Sequence, residues 1–241
     1  MLVETESRDE VVILRMNNAA ENRFTGDFVD AMNRSLDDIE ADDSVRAVVI
    51  TGAHEKYFAN GLDIEWILSL PDEKIAPFLL DVNRLLHRLF IYPRPVVAAM
   101  NGHAFASGLA FALMADWRVM REDRGWCCFT EIGLRIDLPP GSVAVISHVI
   151  GHRNTDLAFF TARRFTGPEA MSLGMVDELA PADRVLPRAV EVAKELGAKP
   201  PDMYADYKRV LRAEAAKIMA ERDEEFILAA IEKKLPQFRG K

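Results

Sequence analysis

Apolar positions along this chain follow two periods. Val11-Val12-Ile13-Leu14-Arg15-Met16, Arg46-Ala47-Val48-Val49-Ile50-Thr51 (closed by Gly52), Val96-Val97-Ala98-Ala99-Met100 and Asp116-Trp117-Arg118-Val119-Met120 are short, nearly unbroken apolar runs. Such runs suit strands buried on both faces, as in a parallel sheet. Met175-Val176-Asp177-Glu178-Leu179 is a last strand-like piece. Between these runs the spacing turns helical. Phe28, Met32, Leu36 and Ile39 mark a helix from Thr25, its expected cap, to about Glu40. Ile75, Leu79, Val82, Leu85, Leu86 and Leu89 mark a long one over about 72–90. Shorter helices are predicted over about 62–70, ended by Pro71, and over about 107–114. Strands alternating with helices predict an α/β fold. From about Ala182 onward only helical patterns remain: 185–196, 204–217 and 219–235. The expected organisation is an α/β core over 1–181 and a helical region over 182–241 that packs on a neighbour. No internal repeat is visible.

Composition narrows the class. The chain has 241 residues, 49% of them hydrophobic, enough for a sizeable core. A net charge of −8 argues against a nucleic-acid partner. No run approaches the roughly 20 apolar residues of a membrane span. The acidic, polar start (Met1 to Glu10) does not read as a signal peptide, and Phe238-Arg239-Gly240-Lys241 is not the Ser-Lys-Leu address. The only cysteines, Cys127 and Cys128, are adjacent, a poor basis for a disulfide framework or a metal cage. These features predict a reduced, cytoplasmic protein.

Two segments carry the candidate chemistry: Tyr57-Phe58-Ala59-Asn60-Gly61-Leu62-Asp63 and Asn101-Gly102-His103-Ala104-Phe105-Ala106-Ser107-Gly108. Each follows a strand-like run and precedes a helix-like run, so each presents free backbone N–H groups at a helix start. Two such ends aimed at one point would hold a developing oxyanion. One acid, Glu131, follows further along. An oxyanion hole with one carboxylate suggests chemistry at the carbon next to a carbonyl.

The same residues resemble a known family. Ser44–Gly52, Phe58–Asp63, Arg94–Ala104, Phe129-Thr130-Glu131-Ile132-Gly133-Leu134 and Phe165–Asp177 occur in the order found in the crotonase superfamily of enoyl-CoA hydratases and isomerases. The resemblance implies a spiral of strand–strand–helix repeats with a helical trimerisation tail, and a homotrimer or dimer of trimers. It implies an acyl-CoA thioester substrate whose carbonyl lies between the N–H groups of Leu62 and Ser107. Ala59, Asn60, Gly61, Asp63 and Gly108 fall in the matching substrate-binding segments, and Arg23 and Lys56 in loops that would meet the CoA phosphates. No metal or redox cofactor is implied; CoA is part of the substrate. Where the family often has three glycines, this chain has Ala106, Ser107 and Gly108. Asn60 replaces a usual small residue.

Family hydratases use two glutamates, one at the Glu131 position and one at a position occupied here by Ala110. Leu109, Phe111 and Ala112 are not acids either. Addition of water needs the water held and activated, commonly by both acids, so the resemblance implies poor hydration here, whereas the family's isomerases use one acid. A base removes a proton from carbon 2 of a 3-enoyl-CoA and returns it to carbon 4. The apolar neighbours Trp126, Phe129, Ile132 and Leu134 should raise the Glu131 pKa toward that dual role. Met120–Trp126 followed by Glu131 resembles the plant-type monofunctional isomerases. Asp137 is a second acid, on which a dienoyl-CoA isomerase, hydrolase or lyase would rely. A non-catalytic acyl-CoA-binding protein is the rival from another class. Asp63 reads as a helix-start residue. His148 and His152 have metal-pair spacing, but Gly151 between them should end the helix, and no further ligand is evident. His103 reads as structural or ligand-contacting, and Met114, Trp117 and Met120 as core or acyl-tunnel residues.

Overall fold

The computed structural model describes residues 1–239; the Gly240-Lys241 end of the expected helical region lies outside it. Its frame is a six-stranded sheet ordered β1-β2-β4-β7-β9-β11. The strands are β1 (Val3–Arg8), β2 (Val11–Met16), β4 (Ala47–Gly52), β7 (Val96–Met100), β9 (Trp117–Arg121) and β11 (Glu178–Ala180). β1 pairs antiparallel with β2, and every other pair is parallel. Short strands form two further layers. β5 (Tyr57–Ala59), β8 (His103–Phe105) and β10 (Cys127–Cys128) make a parallel three-stranded sheet, and β3 (Arg23–Phe24) pairs with β6 (Gly61–Leu62). Successive turns of chain thus run long strand, short strand, helix. β4 leads through β5 and β6 to α2 (Ile64–Ser69) and α3 (Asp72–Phe90); β7 leads through β8 to α4 (Ser107–Leu113); β9 leads through β10 to α5 (Glu131–Leu134). The chain is a crotonase-type spiral of strand–strand–helix repeats. The repeat exists in backbone geometry, not in residue identity.

Burial on both faces explains the unbroken apolar runs. Val48 and Ile50 on β4, and Val96, Ala98 and Met100 on β7, enter the main core with Phe24, Phe28 and Phe58. Their alternates Ala47, Val49, Val97 and Ala99 face the opposite way, against Ala189, Val192 and Ala193 of α9 (Val185–Gly197). The first helix of the C-terminal region therefore covers the outer face of the sheet.

Several boundaries differ from the sequence expectations. Thr25 occupies the N-cap of α1 (Gly26–Glu40), but its side chain accepts no capping bond. The last strand starts at Glu178, because the Asp177 carboxylate is drawn to Arg118, accepting from its backbone N–H at 2.8 Å and pairing with its guanidinium at 2.7 Å. The final helices are α10 (Pro201–Leu211) and α11 (Ala213–Phe238), so the break comes at Arg212, earlier than the spacing predicts. Buried charges set that break: Arg212 and Lys208 pair with Asp116 at 2.9 and 2.7 Å, and Arg212 also donates to the carbonyls of Phe90 and Met114. Helices α6 (Pro140–Ile150), α7 (His152–Thr161) and α8 (Gly167–Ser172) fill the stretch between β10 and β11, and Gly151 ends α6 as its position suggests.

α11 packs along α6 and α3. Asp223 of α11 is fully buried, and its Oδ1 accepts from the Gly141 N–H at the start of α6 at 2.6 Å. Burial pushes its carboxyl up to about 6. Among the described residues, no helix is long and apolar enough to cross a membrane.

Candidate active site

The two glycine-bearing segments meet backbone to backbone. Gly61 has φ +77°, a conformation that glycine adopts without steric cost. A methyl group there would lie 3.0 Å from the Ser107 nitrogen and 3.1 Å from the Gly108 nitrogen. Gly108 in turn packs so closely on Ala59 that a side chain would overlap its carbonyl. Ala59, Gly61, Ser107 and Gly108 are thereby brought into one contact.

Ala106 holds the peptide that presents the Ser107 N–H. Its own N–H donates to Cys128 O at 2.8 Å, and its carbonyl accepts from Leu109 and Ala110 at 2.9 and 3.0 Å. With that carbonyl directed into α4, the Ser107 N–H points out of the helix start. Among the described residues it has no acceptor. The cost is a backbone at φ 47°, ψ −127°, which residues with a β-carbon rarely adopt. Alanine and serine at positions where the family often has glycine thus keep the donor, at the cost of strain at Ala106.

Beside this contact lies a cavity of about 300 Å³. Leu62, Ser107, Ala110, Phe129, Glu131 and Asp137 reach it from the α/β body, and α2, α3 and α11 supply apolar walls. Glu131 is the first residue of α5. Its Oε2 is shielded from solvent and has no hydrogen-bond partner, and no ion pair among the described residues involves it. Burial pushes its pKa up to about 7, against a smaller lowering by the backbone N–H groups of Glu131 and Thr130. Ala110 lines the same cavity, so no second carboxylate stands at that position.

Asp137 differs in kind. Its carboxylate pairs with Lys234 of α11 at 2.6 Å, and Lys234 also donates to Arg135 O at 2.7 Å. Asp63 caps α2, accepting from the Trp66 N–H at 3.1 Å, the helix-start role the sequence suggests. Asn60 donates to Glu21 at 2.8 Å, and Glu21 pairs with Arg23 at 2.7 Å. That network explains Asn60: it braces the β3–β6 pair in which Arg23 stands opposite Gly61. Arg23 and Lys56 do not line the cavity, and Lys56 lies 5.2 Å from the centre of the Tyr57 ring.

Other candidates settle into packing. His103 stacks between Phe105 and Trp126, and its Nδ1 accepts from the Trp126 N–H at 3.0 Å. Burial first, then the nearby Lys56, Arg124 and Arg164 charges, lowers its pKa. His148 lies in the last turn of α6 and His152 begins α7, so they do not share a helix face. Met114 and Met120 are core residues, and Trp117 donates to Glu178; none of the three lines the cavity. The α11 face with Phe226, Ile227, Ala230, Ile231, Lys234 and Leu235 escaped the sequence reading. Its signal was present as a helical stripe, but nothing local says that the stripe faces a cavity rather than a core.

The sequence profile described as Enoyl-CoA hydratase/isomerase matches residues 6–228. The chain belongs to that family, within the crotonase superfamily. It is 29% identical over 223 residues to enoyl-CoA delta isomerase 3 of Arabidopsis thaliana, covering 89% of this chain and 93% of that one. It is 32% identical over 215 residues to a putative enoyl-CoA hydratase of Thermus thermophilus, covering 88% and 84%. Among solved structures, human mitochondrial delta3-delta2-enoyl-CoA isomerase superposes with a TM-score of 0.93 at 25% identity, covering 98% of this chain and 94% of that one.

Proposed function

We propose that this family member is an enoyl-CoA isomerase that moves a double bond from position 3 to position 2 of an acyl-CoA. The observation that carries the reading is Glu131: a carboxylate with an unpartnered, buried Oε2 and a pKa near 7, in a cavity where Ala110 stands at the second acid's position and Asp137 is paired with Lys234. Near neutral pH it exists in both protonation states. As carboxylate it takes the proton from carbon 2, and the electron pair passes into a dienolate on the thioester oxygen. As carboxylic acid it returns the proton to carbon 4, leaving the conjugated 2-enoyl thioester. One group thus serves as base and then acid. The N–H groups of Ser107 and Leu62 are the donors to the oxyanion, a contribution of roughly 10²–10³-fold per donor. The free Ser107 N–H and the contact of Gly61 with its nitrogen support that role. Hydration is disfavoured because water would have only one acid to hold and activate it.

Arg23 and Lys56 are proposed to meet the CoA phosphates from the loops beside the Ala59–Asp63 segment. An Asp137-based reaction, whether dienoyl isomerisation, hydrolysis or lysis, must first break the ion pair with Lys234. That cost favours Glu131. Assembly into trimers through the C-terminal helices in a cytoplasmic setting remains part of the proposal. It is supported by the exposed apolar stripe of Met203, Tyr207, Val210 and Leu211 on α10. The test is conversion of 3-hexenoyl-CoA, followed by the ultraviolet absorbance of the conjugated product. Wild type should turn over and Glu131→Gln should lose roughly 10²–10⁴-fold. Absence of turnover across chain lengths would discard the isomerase and leave Asp137 chemistry or a binding module.

A further inference from the structure

The cavity that Glu131 lines has one long wall on α11. Six α11 residues face it: Phe226, Ile227, Ala230, Ile231, Lys234 and Leu235. They recur at i, i+1, i+4, i+5, i+8 and i+9, one continuous helix face. At about 1.5 Å per residue that face runs about 13 Å. On the opposing helix α3, Ile75, Leu79, Val82 and Leu86 line the same space at helical spacing. Apolar residues of both helices thus line one space suited to an extended chain.

The length of that face sets the capacity. An extended hydrocarbon with bonds of about 1.5 Å advances about 1.25 Å per carbon, so about 13 Å takes about ten carbons. The α11 wall belongs to the same chain, held by Asp223 at the start of α6 and by Lys234 on Asp137 and Arg135. Within it Ala230 has the smallest side chain and stands midway along the face. A larger residue there would project into the middle of the channel.

We infer that the substrate carries an unbranched acyl chain of about ten carbons, and that Ala230 is the specificity-determining residue which keeps the channel open to that length. The inference rests on the acyl-CoA reading above, but not on isomerase chemistry.

The test is calorimetric binding of saturated straight-chain acyl-CoAs from four to sixteen carbons, which needs no turnover. Affinity should rise roughly threefold to fourfold per added methylene and stop rising near ten carbons. Ala230→Phe should weaken decanoyl-CoA about tenfold or more and leave butanoyl-CoA within about twofold, moving the plateau to shorter chains. Ile231→Ala should move it longer, and gives the converse readout if the phenylalanine variant does not fold. A rise that continues to sixteen carbons, a flat profile from four, or equal losses for butanoyl- and decanoyl-CoA would overturn the inference. An intact profile without turnover of 3-hexenoyl-CoA would overturn the isomerase reading alone.

Discussion

A methyl group on Gly61 would sit 3.0 Å from the amide nitrogen of Ser107. Two segments over forty residues apart are thus fitted together at the level of the main chain, with the positive φ of Gly61 as the enabling feature. Gly61→Ala must both adopt φ +77° and push the Ser107 amide aside. The expected result is a loss of about 10²-fold or more in kcat with a fall in Tm, the left-handed backbone alone costing about 1 kcal/mol. Turnover near the wild-type level would show that the contact does not position the donor.

Ala106 gives the opposite expectation. Its φ 47°, ψ −127° backbone costs of order 1–3 kcal/mol, while glycine loses about 0.5–1 kcal/mol more chain entropy on folding. Ala106→Gly should therefore stabilise the protein by about 1 kcal/mol and leave the orientation of the Ser107 N–H unchanged. Chemical denaturation reads the gain, and an unaltered or lowered midpoint would contradict it.

Glu131 ties activity to pH and stability. The carboxylate is the base, so kcat/KM should climb as pH rises through about 7 and level off above it. Stability runs the other way. Its folded pKa is raised from 4.5 to about 7, so the native state binds more protons in that window, and Glu131's contribution is lost as pH rises through it. Glu131→Gln removes the buried charge. Its stability advantage over wild type should be small at pH 5 and grow by about 2 kcal/mol at pH 8. Parallel stability curves for the two proteins over that range would show that the carboxyl does not titrate there.

Asp137 and Lys234 pair at 2.6 Å with part of each side chain open to solvent. Asp137→Asn should cost about 1 kcal/mol of stability at most and less than tenfold in turnover. A loss comparable to that of Glu131→Gln would transfer the chemistry to Asp137.

The parts legible in the sequence are those whose signals are local. The stripe Phe28, Met32, Leu36 and Ile39 defines α1 because a helix repeats within four residues, and all four are buried. The run Val96–Met100 reads as a two-faced strand because both of its faces are covered, one by the main core and one by α9. The two- and three-residue strands β5, β6, β8 and β10 escape such reading: they are too short to carry a period and exist through the partners that pair with them. The α10–α11 break escapes it too, since Arg212 is held by Asp116, Phe90 and Met114, all about a hundred residues away in sequence.

The sequence by itself determined the alternation of strands and helices, the two loops with their glycines, and the presence of Glu131 without an acid at Ala110. Hydrophobic spacing and residue type need no partner to be read. Only the tertiary structure decided that Glu131 and Ser107 share one apolar cavity, that Glu131 goes unpaired while Asp137 meets Lys234, and that α11 closes the wall. Desolvation and pairing are set by whatever long-range packing brings within a few ångströms, and no local pattern encodes that distance.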